Sequence, residues 1–201
     1  MSRAQSPLPV AQTDVLIVGA GPTGLALASA LAGRGVKTLV IDRQAEGANT
    51  SRAAVVHART LEVLEPIGVS GRLVAPGLQA SRFTIRDRDR ILVPIEFDGL
   101  PSRYPYTLMV SQAVTEAVLL QRATELGVTV RRPCSLLSFS QDAGGVDAVL
   151  SDGTQVRATY MVGADGMHSL GRQEAGIGFE GGGDGESFVL ADVRLEANQA
   201  V

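Results

Sequence analysis

An α/β fold, with helices wound over a parallel sheet, is what the sequence predicts, and three observations carry that expectation. The first is a short apolar run, DVLIV at 14–18, that stops at Gly19, the pattern of a strand buried on both faces. The second is an Ala- and Leu-rich stretch, GLALASALAGRG, which reads as a helix closed by Gly33 or Gly35. The third is VKTLVI at 36–41, a second apolar run of strand length. Strand, helix and strand follow within about thirty residues, the size of one crossover unit between parallel strands.

Composition bounds the rest. The chain has 201 residues, 45% of them hydrophobic, enough for one sizeable core. A net charge of −3 gives no electrostatic footprint for nucleic acid. Lys37 is the only lysine, so arginine carries the positive charge, and arginine favours bidentate contacts with phosphate and carboxylate. The single cysteine, Cys134, excludes a disulfide or a redox cysteine pair within the chain. It fits the reducing cytoplasm, which is the expected location. No apolar run approaches the length of a membrane span. Residues 1–13 are polar and contain proline without an apolar segment, so they are expected to be a disordered leader rather than a signal peptide.

The remaining elements follow in order. Pro22 fits the first turn of the first helix. Residues 43–57 show no clear period and carry Arg43, Arg52 and His57. RTLEVLEPIG at 59–68 reads as a short helix broken near Pro66. RFTIRDRDRILVPIEF at 82–97 reads as a hairpin turning at RDRD. A Pro/Tyr loop follows, in which Tyr104 and Tyr106 either line a pocket or cover the core. Ser111 is the candidate N-cap of a helix over 112–126 that Gly127 ends. Short strands are expected at 128–130, 135–139 and 146–150. A turn at Ser151-Asp152-Gly153 then leads into QVRATYMVGA. FEGGGDGES reads as a flexible loop, and FVLADVRLE at 188–196 as a final strand.

Gly19, Ala20, Gly21, Pro22, Thr23 and Gly24 fit G-x-G-x-x-G between a strand and a helix. The first glycine allows the tight turn, the second lets backbone approach a pyrophosphate, and the third lets helix pack on strand. The helix N-terminus then faces the phosphates with the positive end of its dipole. Asp42 closes the second strand eighteen positions after Gly24. A carboxylate there accepts ribose hydroxyls and repels a 2′-phosphate, which points to FAD or NAD rather than NADP as the bound dinucleotide.

Arg52, with Arg43 and Arg59 nearby, either reaches the pyrophosphate or belongs to a solvated basic loop. His57 has no Ser or Asp partner pattern and reads as a structural or surface residue. Cys134 follows Arg131 and Arg132 and reads as a half-buried strand cysteine. Gln112 and Glu116 share a helix face. Gln112, in the first turn, either reaches a ligand or lies on the surface. Asp165-Gly166, in YMVGADGMHSLGR, is a turn with a carboxylate.

Four ordered stretches carry a family resemblance: DVLIVGAGPTGLALASALAGRGVKTLVIDR, SRAAVVHARTLEVLEPIGV, VSQAVTEAVLL and YMVGADGMHSLGR. From about Asp14 to Phe179 the chain resembles the N-terminal part of group A flavoprotein aromatic hydroxylases, single-component FAD-dependent monooxygenases of the phenol and polyketide hydroxylase type. The resemblance implies a Rossmann-like FAD-binding domain over 14–180, with a parallel sheet and a β-meander. The hairpin at 82–97 would sit on its substrate side, and 181–201 would begin a substrate-binding β-sheet. It implies FAD, tightly and non-covalently bound, with NADPH or NADH as co-substrate. By this resemblance Gly19, Gly21 and Gly24 carry the fingerprint, Thr23 lies near the phosphates and Asp42 holds the ribose. Arg52 approaches the pyrophosphate, Gln112 touches the ribityl region, and Asp165, Gly166 and Ser169 form the Asp-Gly motif that Arg172 completes. Gly171 departs from the small aliphatic residue usual at its position.

The implied reaction reduces FAD with NAD(P)H, forms a C4a-hydroperoxide with O2 and transfers its terminal oxygen to an electron-rich ring. The family is commonly twice as long or more. The chain is therefore expected to be an N-terminal portion without the later Gly-Asp fingerprint, which Gly183-Asp184 does not supply. The expected partners are a small aromatic substrate, O2, and a second copy or a complementing C-terminal half. Other flavoproteins of the same fold remain alternatives, as does a non-catalytic FAD-binding module.

Overall fold

The computed structural model describes residues 10–47 and 55–181. Its central sheet has six strands. β1 (Val10–Val18) lies between β2 (Thr38–Ile41) and the late strand β11 (Gln155–Gly163), parallel to both. β8 (Thr129–Arg131) adds a fourth parallel strand beyond β2. On the other side β10 (Gly145–Leu150) and β9 (Leu136–Asp142) continue the sheet antiparallel, so that β9, β10 and β11 form a meander. This is the expected α/β architecture, a parallel sheet with a meander.

The strands of the parallel part alternate between two cores, as the two-residue period requires. Val15 and Ile17 of β1 join Val40 in one cluster, while Leu16 and Val18 join Leu39 and Ile41 in the other. The first cluster is covered by α1 (Pro22–Ala32), α2 (Ala58–Leu64) and α4 (Gln112–Glu125), which supply Leu25, Leu61 and Leu119. After α2 the chain takes one 3-10 turn through Pro66 and enters α3 (Ser70–Val74). Ser111 caps α4, its hydroxyl accepting from Val114 N, and Gly127 follows the helix in the left-handed region at φ +80°. A short helix, α5 (Leu170–Glu174), follows β11. Tyr104 and Tyr106 stand edge to face with each other and pack, partly buried, against the first core. No helix among the described residues is long and apolar enough to cross a membrane.

Three expectations need correction. The leader does not extend to residue 13. Val10, Ala11, Gln12 and Thr13 pair with 155–158 of β11, because the partner strand is itself nine residues long and offers ladder positions that far. Residues 1–9 lie outside the described residues. Second, residues 43–57, read as aperiodic, contribute β3 (Val55–Val56) to a three-stranded antiparallel sheet with β4 (Leu78–Ala80) and β7 (Thr107–Met109), in segments where no strand was expected. Third, Cys134 is not a half-buried strand residue. It lies between β8 and β9, 3% exposed, and burial pushes its thiol pKa up, reinforced by the charge of Asp152. The hairpin β5 (Arg82–Asp87) and β6 (Arg90–Glu96) forms as expected, turning at Arg88 and Asp89. The strand expected at 188–196 lies outside the described residues.

One ion-pair cluster ties α3 to α4. Arg72 donates two hydrogen bonds to Glu125, at 2.7 and 2.8 Å, and Arg122 adds a third at 3.2 Å. Together they hold the Glu125 carboxyl at about 2. A depressed carboxylate pKa contributes stability above its unfolded value and loses it as pH falls through the folded value. Wild type is therefore expected to melt above Glu125→Gln at neutral pH, and the difference should close between 4.5 and about 2. Thermal melts of both chains across that range check it, and a difference that persists unchanged at the acid end rejects it.

Candidate functional site: a cofactor cleft at the C-terminal rim of the sheet

The C-terminal ends of β1, β2, β8 and β11 meet at one edge, where open α/β sheets bind ligands. A cleft of about 520 Å3 opens there, within the usual range for a ligand site. It is bounded by the glycine loop, by Asp42 and Arg43 after β2, and by Gln112 and Glu116 on α4. Arg132 and Cys134 after β8, and Asp165, Gly166 and His168 after β11, complete the rim.

The glycine loop owes its shape to two close approaches. Gly19 sits at φ +110°, and a Cβ there would lie 2.3 Å from Ala164 O. A Cβ on Gly24 would lie 1.9 Å from Gly19 O, so α1 packs directly on the turn that precedes it. Gly21 differs: nothing lies within 4 Å of its Cβ position. Gly21 is the N-cap of α1, Pro22 opens the helix, and no side chain caps the terminus. The first-turn amides have no intrahelical partner and carry the positive end of the dipole.

Asp42 fastens this loop to the sheet. Its Oδ2 accepts from Ala20 N at 2.7 Å and its Oδ1 from Gln44 N at 2.8 Å. The Asp42 backbone bridges to the end of β8, donating to Arg131 O at 3.1 Å and accepting from Cys134 N at 2.7 Å. On α4, Gln112 Nε2 donates to Glu116 Oε1 at 2.8 Å, and Glu116 is 6% exposed. The two share a face as the helical spacing required.

Asp165 is split between two tasks. Its Oδ2 accepts from Leu170 N at 2.8 Å, capping α5, while its Oδ1 is buried without a hydrogen-bond partner. Gly166 makes the turn at φ +80°. Ser169 does not join the cleft lining. It is buried, and its hydroxyl accepts from Arg172 N at 2.9 Å as the N-cap of α5. The hydroxyl thus serves the first turn of α5 as an acceptor and keeps its own O–H as a donor.

Of the residues expected from the sequence, the cleft gathers Gly19, Ala20, Gly21, Pro22, Thr23, Asp42, Arg43, Gln112, Asp165 and Gly166. Gly24 lies behind the loop as a packing residue. Arg52 lies outside the described residues. Arg59 pairs with Glu62 at the surface and His57 is exposed. Sequence reasoning gave Arg132 and His168 no role. His168 was within reach of it, three residues beyond Asp165 on the same turn.

The family model described as FAD binding domain matches residues 12–200. The chain belongs to this FAD-binding family. It is 40% identical over 187 residues to a 12-dehydrotetracycline 5-monooxygenase/anhydrotetracycline 6-monooxygenase of Streptomyces rimosus, covering 90% of this chain and 36% of that protein. It is 33% identical over 187 residues to a dialkyldecalin synthase of Streptomyces rugosporus, covering 93% of this chain and 39% of that protein. Among solved structures, the ternary complex of aklavinone-11 hydroxylase with FAD and aklavinone superposes with a TM-score of 0.71 at 37% identity, over 82% of this chain and 35% of the other. The chain thus spans between a third and two fifths of these relatives' lengths. The cleft of this FAD-binding domain lies where its glycine fingerprint, its strand-end Asp42 and its Asp-Gly turn converge.

Proposed function

We propose that the chain holds FAD in the rim cleft and serves a monooxygenase that hydroxylates an aromatic substrate, phenolic or polyketide-like, with NADPH or NADH and O2. The observation that carries the cofactor half is the shape of the glycine loop. Gly19 and Gly24 are closed in by protein atoms, while the Cβ position of Gly21 is open. The loop therefore leaves space beside an uncapped helix N-terminus, a setting suited to a diphosphate. The unpaired Oδ1 of Asp165 is an acceptor suited to a hydroxyl of the same ligand, since a buried acceptor without a partner is costly. The kinship with a tetracycline monooxygenase supports the reaction half.

Within this reading the glycine-loop amides hold the diphosphate, and Asp42 accepts the adenosine ribose hydroxyls through the lone pairs its two backbone contacts leave free. Gln112 is fixed by its bond to Glu116. A carboxylate only accepts, so the Gln112 amide must turn its nitrogen to Glu116 and present its oxygen elsewhere. Arg52 belongs to the diphosphate side by the family resemblance. Bound FAD supplies reduction by a nicotinamide and reaction with O2, while the protein supplies orientation and exclusion of water. The β5–β6 hairpin, with Phe83, Ile85, Ile91, Leu92 and Val93 exposed, is assigned to the substrate side of an FAD-binding domain over 14–180. Residues 181–201 are assigned to the start of the substrate sheet. A cytoplasmic location fits the single cysteine.

The dialkyldecalin synthase relative favours one second reading, in which the domain holds FAD without oxygen transfer. Titration of the purified chain with FAD is expected to quench flavin fluorescence and leave a yellow protein. A folded chain that stays colourless and leaves the fluorescence unchanged overturns the cofactor assignment. With the flavin in place, NAD(P)H oxidation stimulated by a phenol and yielding an oxygenated ring separates the first reading from the second.

A further inference from the structure

We infer that Arg132 is an additional cofactor-binding residue whose guanidinium contacts the diphosphate of the dinucleotide in the cleft; this rests on the FAD reading above. Three observations converge on it. The first is position. In the β2–β8 register Ile41 stands opposite Arg131, so Asp42 and Arg132 are the next residues on adjoining strand ends. The rim residue beside the ribose-binding carboxylate is a cation. The second is its tether. Arg132 donates through Nη2 to Ala20 O, while Asp42 accepts from Ala20 N. The Ala20 peptide inside the glycine fingerprint is thus gripped from both sides, and the guanidinium is held against the loop assigned to the diphosphate.

The third is charge. Among the described residues no carboxylate lies within ion-pair distance of Arg132, whereas Arg72, Arg103 and Arg122 each have one and Arg157 has two. Its Nε is buried with no hydrogen-bond partner. Glu116 approaches without closing. A Cβ on Gly47 would lie 2.4 Å from Glu116 Oε2 and 3.7 Å from Arg132 Nη1, so the two charges face the same glycine without forming an ion pair. A partly buried cation served by one carbonyl is under-compensated. A planar fork facing an anion-binding loop is the arrangement that recognises phosphate. A purely structural link to Ala20 O would need only a neutral donor.

The test compares wild type, Arg132→Gln and Arg132→Lys as full chains. FAD binding is followed by fluorescence quenching, with ADP and adenosine as competitors, and apo melting temperature is recorded alongside. Loss of a charge-assisted contact is expected to weaken FAD and ADP by about ten-fold or more in Arg132→Gln, with adenosine unchanged. The dependence of FAD affinity on salt should become shallower. Arg132→Lys keeps the charge without the fork and is expected to fall between. If Arg132→Gln does not fold, Arg132→Lys carries the same comparison: a loss confined to FAD and ADP supports the inference, and no loss overturns it. Equal FAD affinity in folded Arg132→Gln, or an equal loss for adenosine, also overturns it. A wild-type chain that takes up no FAD overturns the cofactor reading itself.

Discussion

Gly24→Ala is expected to cost about 3 kcal/mol or more of stability and, with it, the cleft. Its Cβ would fall 1.9 Å from Gly19 O and 3.3 Å from the Ile17 side chain. The nearer atom is backbone, in a turn whose own glycine is pinned against Ala164 O. Neither partner can move without displacing β1, which is buried in the middle of the sheet. Gly21→Ala is the informative contrast, three residues away. Gly21 has φ −76° and ψ −177°, which alanine adopts without strain, and its Cβ position is open. The variant is expected to melt within about 0.5 kcal/mol of wild type. Yet if a diphosphate lies against this backbone, the added methyl takes its place, and FAD affinity should fall by about 1–3 kcal/mol. Melting curves and FAD titrations of both variants check the pair. A Gly21→Ala chain that binds FAD like wild type would place the diphosphate elsewhere.

That contrast also shows where sequence reading works. The fingerprint was legible because strand, turn and helix follow one another and Gly24 packs on Gly19 within the same loop, although the contact of Gly19 with Ala164 is long-range. Ser111, the hairpin turn and the meander were legible for the same reason. The sheet of β3, β4 and β7 was not, because strands of two or three residues are too short to show alternation. Arg132 was not, because its partner Ala20 is 112 positions away and the sequence shows only an Arg-Arg pair. Ser169 carries a contact the motif does not announce: the family pattern puts it near the cofactor, and its hydroxyl also caps the first turn of α5. Asp42 lines the cleft, and its second duty, holding Ala20 N and Gln44 N, involves contacts no spacing rule reveals.

That second duty shapes what Asp42→Ala should do. Removing the carboxylate strips two backbone amides of their acceptor, at about 1–3 kcal/mol of stability each where water does not replace it. The loss of ribose contact adds about 1.5–3 kcal/mol in FAD binding. Affinity alone cannot separate the two, because a loosened glycine loop also weakens binding. Asparagine does not separate them either, since its one oxygen serves one amide and its nitrogen meets the other as a second donor. Discrimination among nucleotides does. A carboxylate on the ribose favours ADP over 2′-deoxy-ADP and repels a 2′-phosphate. Wild type is therefore expected to prefer ADP over both 2′-deoxy-ADP and the 2′-phosphorylated nucleotide, by about ten-fold or more. Asp42→Ala should flatten both preferences while its overall affinity drops. A loosened loop would weaken all three nucleotides in parallel and leave the ratios standing, and that result would confine Asp42 to fastening the loop.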